Sequence, residues 1–332
     1  MTYLMSHLYR RAIIAWIIAT AGTALVLTAG SLAVGSVMSA GGVATCIRDI
    51  ATYSPPTVSP PPKGQTPSES PSGDTTGPIC TPAAEAALST FQTWINVNTG
   101  IAIVVPLLVG MFIGAPLIAR EVETGTIKLA WAQSLTPFAW FAWKSVAAIA
   151  VGVIVCTCCA AATLASARLG AVPWSGSPWP GYDLTPILEA AYGLLAVVIG
   201  IGFSTVIGRS IPAIAASAAL WSGLRAVLMI LVRPNLMPPE LARGMTAGSA
   251  GPNWFLSITY VDASGHELSQ DQVSSIVGSG TLESHGISMA GLYQGPERFW
   301  AFQSIEAGIV IALACIVFAA AAMWLRYRLD GR

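Results

Sequence analysis

Ile187-Leu-Glu-Ala-Ala-Tyr-Gly-Leu-Leu-Ala-Val-Val-Ile-Gly-Ile-Gly-Phe-Ser-Thr-Val-Ile207 is an apolar stretch carrying one carboxylate, close to its start. About 20 such residues at roughly 1.5 Å each cross the hydrocarbon core of a bilayer as a helix. The stretch lacks the alternation of a strand, and a backbone in lipid must satisfy its own polar groups, so it reads as a transmembrane helix and not as part of a barrel. Working outward, five more apolar runs occur at 12–38, 97–119, 141–167, 211–232 and 299–325. The composition agrees: 54% of the 332 residues are hydrophobic and 10% charged, against about 25% charged in an ordinary soluble domain. Sixteen basic and sixteen acidic side chains cancel, which leaves no net field to gather nucleic acid. The expected fold is an all-α polytopic membrane protein. It has six transmembrane helices and a small extracellular subdomain between spans five and six.

The first run follows Arg10 and Arg11 as a signal peptide would, but its apolar core is about twice the usual length, so it reads as a retained anchor. Orientation follows from the basic residues of the short flanks. With the N-terminus inside, four brief cytoplasmic segments hold Arg10, Arg11, Arg120, Lys128, Lys144, Arg209, Arg326, Arg328 and Arg332. The longer outer segments hold Arg48, Lys63, Arg168, Arg233, Arg243 and Arg298. Both termini are therefore expected in the cytoplasm of a multi-pass protein of the cell membrane. The chain divides into an interfacial segment and first span (1–38), an outer Pro-rich loop (39–95), and spans two to five (96–232) with a cytoplasmic loop at 120–140. A second outer loop or subdomain (233–298) and a sixth span with its tail (299–332) complete it.

The first outer loop contains nine prolines between 54 and 82, a composition expected of an extended, solvated linker. Cys46 and Cys80 bracket it. In an oxidising exterior they can pair, and the alternative is two free thiols. In the second loop, the β-branched run Trp254–Val261 leads into the turn-like Asp262-Ala-Ser-Gly265, which predicts a short strand or hairpin.

Enzymatic signals are missing. No Gly-Lys dipeptide occurs, so the phosphate-cradling loop of nucleotide hydrolases is absent. Gly200-Ile-Gly202 sits inside an apolar helix with no preceding strand, where close helix packing explains it better than a cofactor. His266-Glu267 has Gln270 where a zinc-protease helix needs a second His. Cys156, Cys158 and Cys159 have no His or acidic neighbour in sequence, so they read as small apolar fillers and no metal site is expected.

The chemistry-bearing stretch is the cytoplasmic loop Ala119-Arg-Glu-Val-Glu-Thr-Gly-Thr-Ile-Lys-Leu-Ala-Trp-Ala-Gln-Ser-Leu-Thr136, followed by Pro137 and the aromatic run to Trp143. Arg120, Glu121 and Glu123 stand where the second span leaves lipid. Gly125 can break that helix and Thr126 can cap the next one. Ile127, Leu129, Ala130 and Trp131 give the following segment an apolar side suited to a membrane surface or a partner's groove. A plain anchoring turn is the other reading of the same charges.

Together these residues resemble a known family, the membrane-spanning permease subunits of type-2 ABC transporters, in particular the six-span actinobacterial kind. The matching positions are Gly114, Pro116, Leu117, Ala119, Arg120, Glu121, Glu123, Gly125 and Thr126, then Leu129, Trp131, Gln133 and Ser134. Further matches are Arg209, Arg225, Arg233-Pro234, Val261-Asp262 with Gly265, and Arg298-Phe-Trp-Ala-Phe-Gln-Ser-Ile-Glu306. The long Pro-rich loop departs from the family pattern. The resemblance implies a permease of an ATP-driven exporter that binds a separate ABC ATPase subunit and a second permease copy, as a homodimer or heterodimer. This chain would bind no cofactor, with ATP and Mg held by the ATPase. Arg120, Glu121, Glu123, Gly125 and Thr126 would form the element coupling to it, and 5–11 an interfacial helix on the inner leaflet. Other function classes remain open on the residues alone: an ATP-independent ion-coupled carrier or channel, and a membrane-embedded enzyme.

Arg225 and Glu306 each lie about seven residues from the outer ends of spans five and six, roughly 10 Å below the outer surface at 1.5 Å per residue. Charges at that depth normally pair or face a cavity, so the sequence predicts an Arg225–Glu306 contact, either a staple between helices or part of the substrate path. Glu189, close to the start of span four, is expected to reach water. The apolar spans suit a hydrophobic or amphipathic cargo moving outward.

Overall fold

A computed structural model describes residues 22, 25–46, 80–126, 136–169, 177–245, 253–277, 282 and 285–330. The expected helix at 5–11, the Pro-rich stretch and the segment 127–135 lie outside the described residues. Among those described, five helices are long and apolar enough to cross a membrane: Pro82–Glu123, Pro137–Ala165, Pro186–Ile207, Ser210–Asn235 and Pro296–Arg328. The described part of the first apolar run is a shorter helix, α1 (Leu25–Ala40); the rest of that expected span lies outside.

Helix α2 (Pro82–Val109) begins fifteen residues before the apolar run that predicted it, inside the segment assigned to the outer loop. Thr81 explains the early start. Its hydroxyl accepts from the Ala84 amide at 3.2 Å while Pro82, lacking an N–H, fills the first helical position. Cys46, just beyond α1, is disulfide-bonded to Cys80, with Cα atoms 5.0 Å apart. That bond joins the two ends of the Pro-rich stretch and sets α1 beside the start of α2, where Val34, Met38, Ala84 and Ala87 are buried.

Toward its other end α2 loosens into a π-helical turn at Gly110–Gly114 and restarts at Pro116 as α3 (Pro116–Glu123). A helix restarting at proline leaves its first-turn amides without partners. Ser204 supplies the missing acceptor: its hydroxyl oxygen takes the Ile118 and Ala119 amides at 2.9 and 2.7 Å.

Ser204 belongs to α5 (Pro186–Ile207), the axis of the bundle. This helix is apolar on every side, the pattern of a helix enclosed by others. It packs against α2, α3, α4 (Pro137–Leu169), α6 (Ser210–Val227) and α8 (Phe299–Asp330). Gly200 permits the closest approach. A Cβ there would lie 2.5 Å from the Gly110 carbonyl oxygen and 2.6 Å from the Ala115 nitrogen. The small-residue reading of Gly200 thus has a specific partner, whereas Gly202 meets nothing closer than Val317 at 3.5 Å.

Between α6 and α8 the chain departs from the all-α expectation with a four-stranded antiparallel sheet, order β1-β4-β2-β3. Its strands are β1 (Glu240–Met245), β2 (Trp254–Val261), β3 (Glu267–Leu268) and β4 (Ser288–Gln294), with the short helix α7 (Gln270–Val277) before β4. The hairpin expected at 254–265 is β2–β3. Asp262 closes it by accepting the Ser264 and His266 amides, each at 2.9 Å, while Gly265 takes φ +90°. The Ser264 hydroxyl bond and these amides lower the Asp262 carboxyl to about 2. Arg298, ahead of α8, clamps the sheet to the bundle through Glu240, the Gln294 side chain (2.9 Å) and the Pro238 carbonyl (2.7 Å).

Candidate functional site

Two clusters of charge lie at opposite ends of the bundle. The first gathers the ends of α3, α4 and α6. Helix α3 stops at Glu123, and Gly125 at φ +71° reverses the chain. Glu121 forms an ion pair with Lys144 of α4, whose ammonium also sits 4.7 Å from the centre of the Trp140 ring. Glu123 reaches α6, accepting the Ser210 amide at 2.9 Å and the Ser210 hydroxyl at 2.6 Å. Thr126 shares a 2.9 Å hydrogen bond with Thr124, and Arg120 is exposed. The helix that Thr126 was expected to cap lies outside the described residues.

The second cluster is buried. Helix α6 continues through a π-helical turn (Leu228–Val232) and a 3₁₀ turn (Arg233–Asn235), which bring Arg225 and Arg233 to the same place. Facing them are Asp183, in the 3₁₀ segment Trp179–Leu184, and Glu306 of α8. Arg233 grips both acids. Its Nε and Nη2 donate to Glu306 at 2.9 Å each, and its Nη2 and Nη1 donate to Asp183 at 2.7 and 3.2 Å. Arg225 donates Nη2 to Asp183 at 2.7 Å and packs 3.7 Å above the Tyr192 ring. Tyr182 and Tyr192 donate their hydroxyls to Glu306 at 2.8 and 2.5 Å. Below them, Gln303 donates to the Tyr182 carbonyl at 2.8 Å and accepts from Thr185 at 2.6 Å.

The direct Arg225–Glu306 pair therefore holds only loosely. Arg225 Nη1 is 4.0 Å from Glu306 and makes no hydrogen bond among the described residues. Asp183 is the first partner of Arg225, and Arg233 is the first partner of Glu306. Glu189 overturns its expectation, being 1% exposed, with one carboxyl oxygen unbonded among the described residues. Its position near a helix start suggested water, but α5 is packed among the other helices from its first turns and Glu189 is buried there. Sequence reasoning assigned no site role to Asp183, Tyr182 or Tyr192, and singled out Arg233 and Gln303 only as positions matching the family. A signal existed for Arg233: eight residues after Arg225, it falls close to the same helix face. For Asp183 there was none, because nothing local places a loop carboxylate inside the bundle.

Formally the cluster is balanced, two arginines against Asp183 and Glu306, and all four are buried. Such charges are tolerated away from water only with paired geometry and satisfied lone pairs, which the tyrosines complete. A cavity of about 370 Å³ lies against the cluster, lined by Trp179, Tyr182, Asp183, Arg233, Trp254 and Phe255 among others. Among the described residues no arrangement of nucleophile and base accompanies it. The fold and these two clusters define a polytopic helical membrane protein whose polar groups join its helices.

A family model described as "ABC-2 membrane transporter related" matches residues 17–233. The chain belongs to that family and is a membrane component of a transporter. The matched region ends at Arg233, so it includes Asp183 and both arginines but not the sheet or Glu306. No curated protein and no solved structure matches the chain.

Proposed function

We propose that this chain is the permease subunit of an ATP-driven exporter, forming the substrate path and taking its motion from a separate ABC ATPase. One observation carries the reading: the turn Thr124–Thr126 ends a short helix whose two glutamates are fastened to α4 and α6. A load applied to that turn reaches several spans at once, as a coupling element requires.

The family membership and the absence of a phosphate-cradling loop both support a separate motor. ATP and Mg would be held there, not by this chain. The distribution of basic residues supports six spans, both termini in the cytoplasm of the plasma membrane, and a sheet on the outside. A second permease, identical or related, would complete the pump. The long helices are exposed largely through Ile, Leu, Val and Trp, which suits a lipid surround and a hydrophobic or amphipathic cargo.

The test is co-purification from a cell that also expresses the candidate ATPase. The tagged chain should retain it, and deletion of 120–126 should release it while the spans stay folded. Retention of no ATP-binding subunit, together with undiminished transport by the deletion variant, would replace this reading with an ATP-independent carrier.

A further inference from the structure

The family resemblance places Glu123 against the ATPase, and the structure turns its carboxylate sideways onto the start of α6. Both oxygens are occupied by Ser210, one by the backbone amide and one by the hydroxyl. Ser210 is the first residue of α6, and the preceding Arg209 provides no side-chain cap. A helix start exposes unpaired amides and the positive end of its dipole, so a carboxylate held there makes a strong, directional tie. The tie crosses from one helix to another, since Glu123 is the last residue of α3.

Helix α6 is built to carry what it receives. From Ser210 to Asn235 it is continuous through its π and 3₁₀ turns, and its buried residues are Ala213, Ser217, Trp221, Arg225, Leu228 and Arg233, three to five residues apart along one side. A rod seated along one stripe can shift with little loss of packing, unlike α5, which is enclosed on all sides. The far end of the rod carries Arg225 and Arg233, which bind Asp183 and Glu306. At the near end, the turn Gly110–Gly114 with Pro116 interrupts the span just before α3. Helix α3 can therefore swing without moving all of α2.

We infer that Glu123 is a positioning residue that passes displacement of the end of α3 and its 124–126 turn into α6, so that the two arginines move against Asp183 and Glu306 at the opposite end. This rests on the proposed coupling to an ATPase. Glu123 thus acts as a link within the permease.

The experiment uses the full permease–ATPase complex, with Cys158 and Cys315 replaced by Ser. Spin labels are placed on the exposed positions Ile230 of α6 and Trp300 of α8, and their separation is measured with and without ATP and vanadate. The parent complex should show a nucleotide-dependent shift. Glu123→Ala should abolish it while the ATPase stays bound and hydrolyses ATP. Because Glu123→Ala also uncaps α6, the double variant Glu123→Ala/Arg209→Ser restores a local cap in cis. It should recover thermal stability but not the shift. An undiminished shift in Glu123→Ala, or its return in the double variant, overturns the inference and leaves the coupling reading intact. A parent complex that does not form, or that shows no shift, overturns both.

Discussion

Arg233 lays the fork of its guanidinium across the carboxylate of Glu306, Nε and Nη2 each 2.9 Å from an oxygen, with both residues buried. The pair joins α6 to α8. With Asp183 it also fixes the 3₁₀ segment that precedes α5. These ends of α5, α6 and α8 are thus held by charge where apolar packing alone would allow them to slide.

Removing Arg233 leaves two buried carboxylates under-compensated. Arg233→Ala should destabilise the protein by about 3–5 kcal/mol, the usual cost of breaking a buried pair. Thermal unfolding in detergent or nanodiscs measures it. Arg233→Lys should recover little, because a point-like ammonium cannot bind both acids through a fork. Arg225→Ala, which loses one hydrogen bond where Arg233→Ala loses four, should cost less.

Gly200→Ala should also destabilise strongly, since its new methyl meets backbone atoms of Gly110 and Ala115 that cannot rotate away. Overpacking of this kind costs about 1–3 kcal/mol. Gly202→Ala, with Val317 at ordinary contact distance, should be tolerated. The contrast between two glycines so close in sequence is the informative measurement.

Ser204→Ala should leave the Ile118 and Ala119 amides without an acceptor. Each buried donor left unpaired costs about 1–3 kcal/mol. Hydrogen exchange should accelerate at those two amides more than elsewhere in α3. Uniform change across the bundle would contradict a local role.

Cysteine counting tests the loop closure. Denatured without reductant, the protein should take up four alkylating groups, at Cys156, Cys158, Cys159 and Cys315. After reduction it should take up six. Cys80→Ser should lower stability by about 2–4 kcal/mol, the range usual for a disulfide.

The apolar runs were legible in the sequence because lipid leaves a chain few choices: long hydrophobic stretches must become helices, wherever their neighbours are. The β2–β3 hairpin was legible too, since β-branched residues followed by an Asp-to-Gly turn encode it locally. The start of α2 was missed because Thr81-Pro82 lies within a Pro-rich background that masks a good cap. Glu121 and Glu123 were identifiable as important, but their partners were not, since Lys144 and Ser210 follow them by 23 and 87 residues.

Hydrophobicity and the short-range signals of caps and turns by themselves determined that this is a helical membrane protein with an ordered hairpin and a charged turn on one side. Which charges meet was decided only by the tertiary structure. Asp183, outside every apolar run, and Arg233, read as a residue of an outer segment, became the centre of the buried cluster. Pairing energies depend on distance and desolvation, and both are set by how helices pack, not by the order in which residues occur along the chain.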